Sequence, residues 1–205
     1  MGSQPTVIVL AAGRGSRFQG PQHKLAQPFE GGAPVLVCTL RRAVATQMKV
    51  VVVTTAALEP LARSVVASRD VVVLPPADSM PGLGMGSSIA AGVEARPHAP
   101  GWLMLPGDMP LVRPATLTAV ASALQLHPVA YAQHAGRRGH PVGFSAELFT
   151  DLVMLQGDEG ARRLVARYPS QAVDVDDPGA LIDLDTVEDF AAAQRHQQQH
   201  AVAGR

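Results

Sequence analysis

The chain has 205 residues, of which 47% are hydrophobic, and this is enough for one domain with a full-sized core. Its 17 basic residues balance 17 acidic ones, so no general field would draw it to nucleic acid or to a membrane surface. The single cysteine, Cys38, excludes an internal disulfide framework, and its apolar surroundings "PVLVCTL" predict a buried structural thiol. The first apolar run is too short to span a bilayer, so we expect a cytoplasmic protein that has neither nucleic acid nor membrane as a partner.

The first part of the chain alternates between two kinds of segment. Short β-branched runs and amphipathic runs follow one another as "TVIVLAA", "PVLVCTLRRAVATQ", "KVVVVTT", "ALEPLARSVVAS" and "VVVLPP". This alternation predicts a parallel sheet covered by helices, with Val50 to Val53 in a central strand buried on both faces. The pattern continues with "SSIAAGVEA" as a helix, "WLMLPG" as a strand and "PATLTAVASALQ" as a helix that Pro114 begins.

After about residue 128 the pattern changes. "VAYAQHAG" and "GHPVGFS" flank the turn signal "GRRG", which predicts an antiparallel hairpin added to the sheet. Two helices, "AELFTDLVML" and "EGARRLVARY", then a short strand "QAVDVD" and a last helix from about Thr186 are expected to follow. We therefore predict one α/β domain over residues 1–190, a Rossmann-like three-layer αβα sandwich with a mostly parallel sheet. Residues 191–205 are predicted to be a frayed helix end and polar tail.

The loop after the first strand reads "VLAAGRGSRFQGPQHKL" and is rich in glycine and cations. Gly13, Gly15 and Gly20 let backbone N–H groups approach a ligand, and Arg14, Arg17 and Lys24 add positive charge. This combination suits a triphosphate, while the alternative is a solvated surface loop with incidental cations. The loop lacks the third glycine of a dinucleotide fingerprint and the G-K-[ST] of a Walker loop.

A second glycine-rich stretch, "PGLGMGSSIAAGV", leads into a helix. Its glycines again permit close backbone approach, and Ser87 or Ser88 can cap the helix or hydrogen-bond a ligand. The alternative is an N-capped helix with a flexible entry and no ligand.

Carboxylates follow two further segments. Asp108 comes directly after the buried run "LMLP", and ligands of an open parallel sheet bind beyond such strand ends, so it is a candidate ligand of a hard cation such as Mg2+. Asp183 and Asp185 in "LIDLDTVEDF" are candidate second ligands, although Asp185 can equally be a helix N-cap. Ser87 has no His–Asp partner at a recognisable spacing, which argues against a hydrolase triad.

Taken together, these motifs carry a resemblance to a known family. "LAAGRGSRFQGPQHKL", "GMGSSIAAGV", "PGDMP", "GRRGHPVGF", "QGDEGARRL" and "DLDTVEDF" occur in this order over about residues 6 to 190. The sequence resembles the molybdenum cofactor cytidylyltransferases among the GT-A-like nucleotidyltransferases. "LAAG" and "GDMP" are common to the superfamily, whereas "GMGSS", "RGHPV" and "GDEGAR" point to the cytidylyltransferase branch.

The resemblance implies an Mg2+-dependent enzyme that moves CMP from CTP to a molybdopterin-type phosphate and releases pyrophosphate. The implied catalytic residues are Arg17, Lys24 and Asp108. The implied nucleotide-binding residues are Leu10, Ala11, Ala12, Gly13, Arg14, Gly15, Lys24, Gly84, Met85, Gly86, Ser87 and Ser88. The implied metal ligands are Asp108 with Asp183 or Asp185. The implied acceptor-binding residues are Gly139, His140, Pro141, Gly157, Asp158 and Arg162.

One departure from the family pattern bears on the substrate. The segment from Arg17 to Lys24 is longer by two residues than the usual R-M-G-x-x-K spacing. This leaves open a relative that acts on another phosphorylated small molecule. Two separate alternatives are a redox enzyme with similar motifs and a non-catalytic nucleotide-binding partner of a molybdoenzyme. A molybdoenzyme or its insertion chaperone is also the expected transient partner of an enzyme of this kind.

Overall fold

The computed structural model describes residues 4–15, 18, 22–75, 84–158, 160–186 and 188–193. Seven strands form one sheet: β1 (Thr6–Ala11), β2 (Lys49–Thr55), β3 (Val71–Leu74), β4 (Gly101–Pro106), β5 (Val129–His134), β6 (Arg137–Ser145) and β7 (Ser170–Asp174). The helices are α1 (Val35–Val44), α2 (Glu59–Arg63), α3 (Met85–Glu94), α4 (Pro114–Ala123), α5 (Phe149–Val153) and α6 (Arg162–Arg167). Short 3-10 helices span Lys24–Ala26, Glu30–Gly32, Ser68–Asp70, Ala146–Leu148 and Pro178–Leu181, and residues 188–193 are helical.

The sheet runs in the order β3-β2-β1-β4-β6-β5-β7. Neighbouring strands pair in parallel except at β6, which is antiparallel to both β4 and β5. The predicted fold, a three-layer α/β domain with a mostly parallel sheet and an added antiparallel hairpin, is confirmed.

Alternating side chains of the strands belong to two apolar layers, one on each face of the sheet. Val7 and Val9 of β1 pack with α1 and α4, whereas Ile8 packs with α3 and α5. The run Val50 to Val53 is buried as expected, because α1 and α3 cover opposite faces of β2. Cys38 lies buried in α1, and burial raises the pKa of its thiol, as expected for a structural cysteine.

The turn of the hairpin differs from the prediction. Ala135 and Gly136 have φ angles of 49° and 73°, so the chain reverses over these two residues in left-handed conformations. Arg137, Arg138 and Gly139, which were assigned to the turn, instead belong to β6. The predicted position of the turn was therefore wrong by about two residues. Gly136 can be the first residue of a "GRRG" turn or the last residue of an Ala-Gly turn, and the sequence does not distinguish the two.

Several predicted helices are shorter than their sequence patterns. The segment "ALEPLARSVVAS" forms only the five residues of α2, and the described residues of "EGARRLVARY" form only α6. Pro114 begins α4 as expected. In the described part of the chain, none of the helices has the length and apolar character needed to cross a bilayer.

Candidate active site

A cavity of about 500 Å³ opens where β1, β3 and β4 end. In open α/β sheets this edge, beyond the carboxyl ends of the strands, is where ligands bind. The described residues that line the cavity come from seven separate parts of the chain: Leu10, Ala11, Ala12, Gly13, Arg14, Gly15, Lys24, Leu25, Leu74, Pro75, Gly84, Met85, Ser88, Pro106, Asp108, Asp158 and Asp185. The glycine- and cation-rich loop, the start of α3 and the two aspartate segments therefore meet as the sequence predicted.

The first wall of the cavity is the loop that follows β1. Residues Leu10 to Gly15 all line it, and Arg14 extends from this loop with an exposed side chain. Gly15 has a φ angle of 61°, a left-handed conformation that favours glycine, and its carbonyl accepts a hydrogen bond from the N–H of Phe18. Arg17, a predicted catalytic residue, lies outside the described residues.

Lys24 bridges two carboxylates at the floor of the cavity. Its Nζ lies 2.5 Å from Oδ2 of Asp108 and 2.5 Å from Oδ1 of Asp185. The three side chains keep only 12%, 15% and 10% of their surface exposed, in the order Lys24, Asp108 and Asp185. Burial alone lowers the pKa of Lys24, but the charges and hydrogen bonds of the two aspartates outweigh it, so the pKa is raised and the ammonium is retained.

Backbone hydrogen bonds bring the two aspartates together. The N–H of Leu184 donates to the carbonyl of Asp108 at 3.0 Å, which fixes the segment of Asp185 beside the end of β4. Gly107 is held in turn by its N–H bond to the carbonyl of Leu10 at 2.9 Å and by the hydroxyl of Thr39, which donates to the Gly107 carbonyl at 2.9 Å. Asp108 is thereby placed at the end of its strand by contacts with three different elements.

The helix after Asp185 is capped by the following residue. The N–H of Asp189 donates to the hydroxyl of Thr186 at 3.2 Å, and Oδ2 of Asp189 accepts from the N–H of Thr186 at 2.7 Å. This reciprocal pair has the geometry of a capping box, so Thr186 is the N-cap. The alternative in which Asp185 caps the helix is wrong, and its carboxylate is instead directed to Lys24.

The pair Asp108 and Asp185 fits a divalent cation that substrate phosphates help to coordinate. Oδ1 of Asp108 is buried without a hydrogen-bond partner among the described residues. Within the same residues no group of three or more His, Cys, Asp or Glu side chains is arranged to hold a metal ion. Mg2+ in phosphoryl-transfer sites is commonly held by one or two carboxylates together with substrate phosphates, so two protein ligands are sufficient.

Asp183 is placed differently from Asp185. It is not among the described residues that line the cavity. Desolvation of its carboxylate, together with the charges of Asp185 and Asp108, raises its pKa. The geometry thus favours Asp185 over Asp183 as the partner of Asp108.

The glycines at the start of α3 pack against another loop of the protein. A Cβ added to Gly84 would overlap Oδ1 of Asp158 and lie 2.5 Å from the Gly157 carbonyl carbon, and one added to Gly86 would lie 2.7 Å from the carbonyl oxygen of Gln156. The N–H of Gly86 also donates to the carbonyl of Gly157 at 2.8 Å. These glycines therefore allow close packing with residues 156–158, a contact that the sequence did not predict.

The two serines of this segment do not begin the helix. The N-cap of α3 is Gly84, and Ser87 and Ser88 lie in the first turn. The hydroxyl of Ser88 donates to the carbonyl of Gly84 at 3.2 Å, so the prediction that a serine caps this helix was wrong. Gly84, Met85 and Ser88 line the cavity together with Asp158, which had been assigned to the acceptor.

The remaining predicted acceptor residues lie outside the described cavity lining. Gly139 and Pro141 are in β6, where the backbone of Gly139 packs against the carbonyl of Ala180. His140 has a buried Nδ1 without a hydrogen-bond partner among the described residues. Burial lowers the pKa of His140, and the charges of Arg138 and Arg162 lower it further, whereas the charge of Asp108 raises it by less than burial lowers it. His140 is therefore neutral near pH 7 and lies within electrostatic range of both Asp108 and Arg162.

Sequence reasoning missed part of the site. Leu74, the last residue of β3, and Pro75, which follows it, also line the cavity. His23 contacts that loop directly, because its Nε2 lies 3.1 Å from the carbonyl oxygen of Gly13. The only available signal for His23 was its position immediately before Lys24.

Comparison with known protein families and curated proteins agrees with this geometry. A family model described as a MobA-like NTP transferase domain matches residues 7–173. The chain is 34% identical over 124 residues to the bifunctional protein GlmU of Alkalilimnicola ehrlichii, a match that covers 56% of this chain and 24% of GlmU. It is 32% identical over 117 residues to the purine catabolism protein PucB of Bacillus subtilis (strain 168), covering 55% of this chain and 57% of PucB. The matches thus span about a quarter of GlmU and just over half of PucB.

Two solved structures resemble the fold of this chain over nearly the whole length of both proteins. Rv0371c from Mycobacterium tuberculosis H37Rv superposes with a TM-score of 0.79 at 29% identity, covering 94% of this chain and 99% of that one. A second structure of Rv0371c, a complex with manganese, superposes with a TM-score of 0.76 at 29% identity and covers 95% and 100%.

Proposed function

Because this chain belongs to the MobA-like NTP transferase domain family, we propose that it transfers CMP from CTP to a molybdopterin-type phosphate acceptor and releases pyrophosphate. The observation that carries the proposal is the cavity in which the loop of Ala12 to Gly15, Lys24, Asp108 and Asp185 converge. The choice of CTP as the nucleotide and of a pterin as the acceptor is based on the resemblance of the motifs "GMGSS", "RGHPV" and "GDEGAR" to the cytidylyltransferase branch.

The reaction requires no general base. An oxygen of the acceptor phosphate attacks the α-phosphorus of CTP, the new O–P bond forms, and the bond to the β-phosphate oxygen breaks as pyrophosphate leaves. The attacking phosphate oxygen is already anionic near neutral pH, so no side chain has to remove a proton from it. Catalysis then consists of positioning and of stabilising the charge on the phosphoryl oxygens.

We assign the binding of the triphosphate, of the divalent cation and of the nucleoside to different residues of the chain. Backbone N–H groups of residues 12–15 would hold the triphosphate, and Lys24 and Arg17 would neutralise its charge. Asp108 and Asp185 would hold a divalent cation, which supplies Lewis-acid stabilisation of the phosphate oxygens when it is bound. The manganese complex of Rv0371c supports a divalent cation at this fold, and we propose Mg2+ for this chain. Ser88, Gly84 and Met85 would lie along the nucleoside, and Asp158 borders the same space.

A second candidate function is the same nucleotidyl transfer to a different acceptor. The curated relatives GlmU and PucB carry different names and roles, and the longer spacing between Arg17 and Lys24 departs from the cytidylyltransferase pattern. These observations favour a nucleotidyltransferase that acts on another phosphorylated small molecule as the alternative.

The test is pyrophosphate release in the presence of Mg2+, comparing CTP, GTP and ATP with molybdenum-loaded pterin cofactor as the acceptor. We expect release that requires both CTP and the pterin, and that falls by roughly 100-fold or more in Asp108→Asn. Asp174→Asn is the matched control, because Asp174 is an exposed carboxylate on β7, away from the cavity, that accepts a hydrogen bond from the side chain of Gln133. Nucleotide binding without release for any acceptor would support a non-catalytic nucleotide-binding protein instead.

A further inference from the structure

His23 joins the loop after β1 to the turn that carries Lys24. The N–H of Leu25 donates to Nδ1 of His23 at 3.2 Å, so the imidazole caps the 3-10 helix Lys24–Ala26. On its other side, Nε2 of His23 lies 3.1 Å from the carbonyl oxygen of Gly13. One ring thus connects two segments that both line the cavity.

The two hydrogen bonds fix the protonation of this ring. Nδ1 accepts a hydrogen bond from the N–H of Leu25, so it carries no hydrogen, and the carbonyl of Gly13 can only accept, so Nε2 must donate. Both bonds therefore form together only in the neutral Nε2–H tautomer. A Cβ at Gly15 would lie 3.2 Å from Nε2, which shows that the ring also packs over this glycine.

We propose that His23 is a positioning residue that holds the triphosphate loop against the turn of Lys24. The carbonyl of Gly13 points to the imidazole, and a peptide whose carbonyl is held on one side presents the following N–H in a fixed orientation. A loop that is ordered before the nucleotide arrives loses less conformational entropy on binding. This inference rests on the proposed function, since it assumes that the loop holds a nucleoside triphosphate.

Two substitutions separate the two bonds of the ring. In His23→Asn the side-chain oxygen sits near the position of Nδ1, which preserves the cap on Leu25 but cannot reach Gly13. In His23→Gln the amide nitrogen sits near the position of Nε2 and can still donate to the Gly13 carbonyl. His98→Asn is the matched control, because His98 is exposed and lies on a different cavity from Lys24.

The experiment measures the dissociation constant for Mg–CTP by calorimetry, KM and kcat in the pyrophosphate assay, and the thermal midpoint of each variant. Loss of one net hydrogen bond predicts about fivefold weaker nucleotide binding in His23→Asn, with KM raised and kcat close to that of the wild type. His23→Gln should recover most of the affinity, and His98→Asn should match the wild type. A long-range proton–nitrogen spectrum of the nucleotide-free protein should show His23 as the neutral Nε2–H tautomer.

The outcomes distinguish this inference from the proposed function. Wild-type affinity in His23→Asn, or equal losses in the Asn and Gln variants, would overturn the positioning role and leave the proposed function standing. An Nδ1–H tautomer of His23 would overturn it as well, whatever the activity. If the wild-type protein binds no nucleoside triphosphate, the proposed function fails and the positioning role fails with it.

Discussion

Lys24 binds one oxygen of each of the two carboxylates, Asp108 and Asp185, that would hold a metal ion. Each aspartate accepts a hydrogen bond from the ammonium through one oxygen at 2.5 Å, so the lysine and a divalent cation compete for the same carboxylates. We expect metal to bind weakly to the nucleotide-free protein and to bind well only when a triphosphate draws Lys24 away. Replacing Lys24 by Met should therefore strengthen the binding of a divalent cation in the absence of nucleotide.

The size of the effect follows from the two contacts. Hydrogen bonds to charged groups contribute roughly 1.5 to 3 kcal/mol each, and displaced Lys24 regains hydration, so we take the lower value for both. The sum of about 3 kcal/mol corresponds to roughly a 100-fold smaller dissociation constant for the metal. Metal binding to the variant is strengthened further, because two adjacent carboxylates without a lysine repel each other and a cation relieves that repulsion.

The assay is a Mn2+ titration of nucleotide-free protein followed by electron paramagnetic resonance. The chain has only two lysines, and Lys49, exposed at the start of β2, provides the control Lys49→Met. In the pyrophosphate assay Lys24→Met should nevertheless lose activity, because the triphosphate loses a cation. Equal Mn2+ affinities in wild type, Lys24→Met and Lys49→Met would refute the competition. Tight binding that persists in Lys24→Met with Asp108→Asn would show that the metal lies elsewhere.

Three further predictions concern stability. Asp189→Ala removes the acceptor for the N–H of Thr186 and should lower the free energy of unfolding by about 1 kcal/mol in urea denaturation; an unchanged midpoint and slope would contradict the capping box. Burial lowers the pKa of His140 in the folded state, so the unfolded chain binds its proton more readily, and stability should fall as the pH drops below about 6.5. His140→Gln should show a flatter fall in thermal midpoint between roughly pH 7.5 and 5.5, and a parallel fall in both proteins would rule out this contribution. Gly84→Ala forces a Cβ onto Asp158 and should lower the free energy of unfolding by about 1 to 3 kcal/mol. Thermal unfolding would detect this loss, and an unchanged midpoint would contradict the predicted clash.

The order of elements could be predicted from the sequence because its signals are local. The all-apolar run from Val50 to Val53 identifies a doubly covered strand, and Pro114 identifies a helix start. Parallel strands place their carboxyl ends at one edge of the sheet, so the loop after β1 and Asp108 after β4 were expected to meet. The family resemblance was confirmed as far as the MobA-like NTP transferase family, and the cytidylyltransferase branch stays a prediction.

Other features of the site depended on contacts between distant residues. Lys24 bonds to carboxylates 84 and 161 positions away, and no local pattern states that one lysine will join both. Gly84 lines the cavity and also packs against residues 157 and 158, and only the folded chain shows which backbone lies opposite a glycine.

The sequence by itself determined which segments become strands and helices and which loops reach the ligand edge of the sheet, since both follow from periodicity and strand direction. Tertiary structure alone decided that Lys24 lies between Asp108 and Asp185 and that Thr186, not Asp185, caps the last helix. Each of these choices is a competition between several polar partners of similar strength. Packing of the surrounding backbone selects the partner that comes within hydrogen-bond distance.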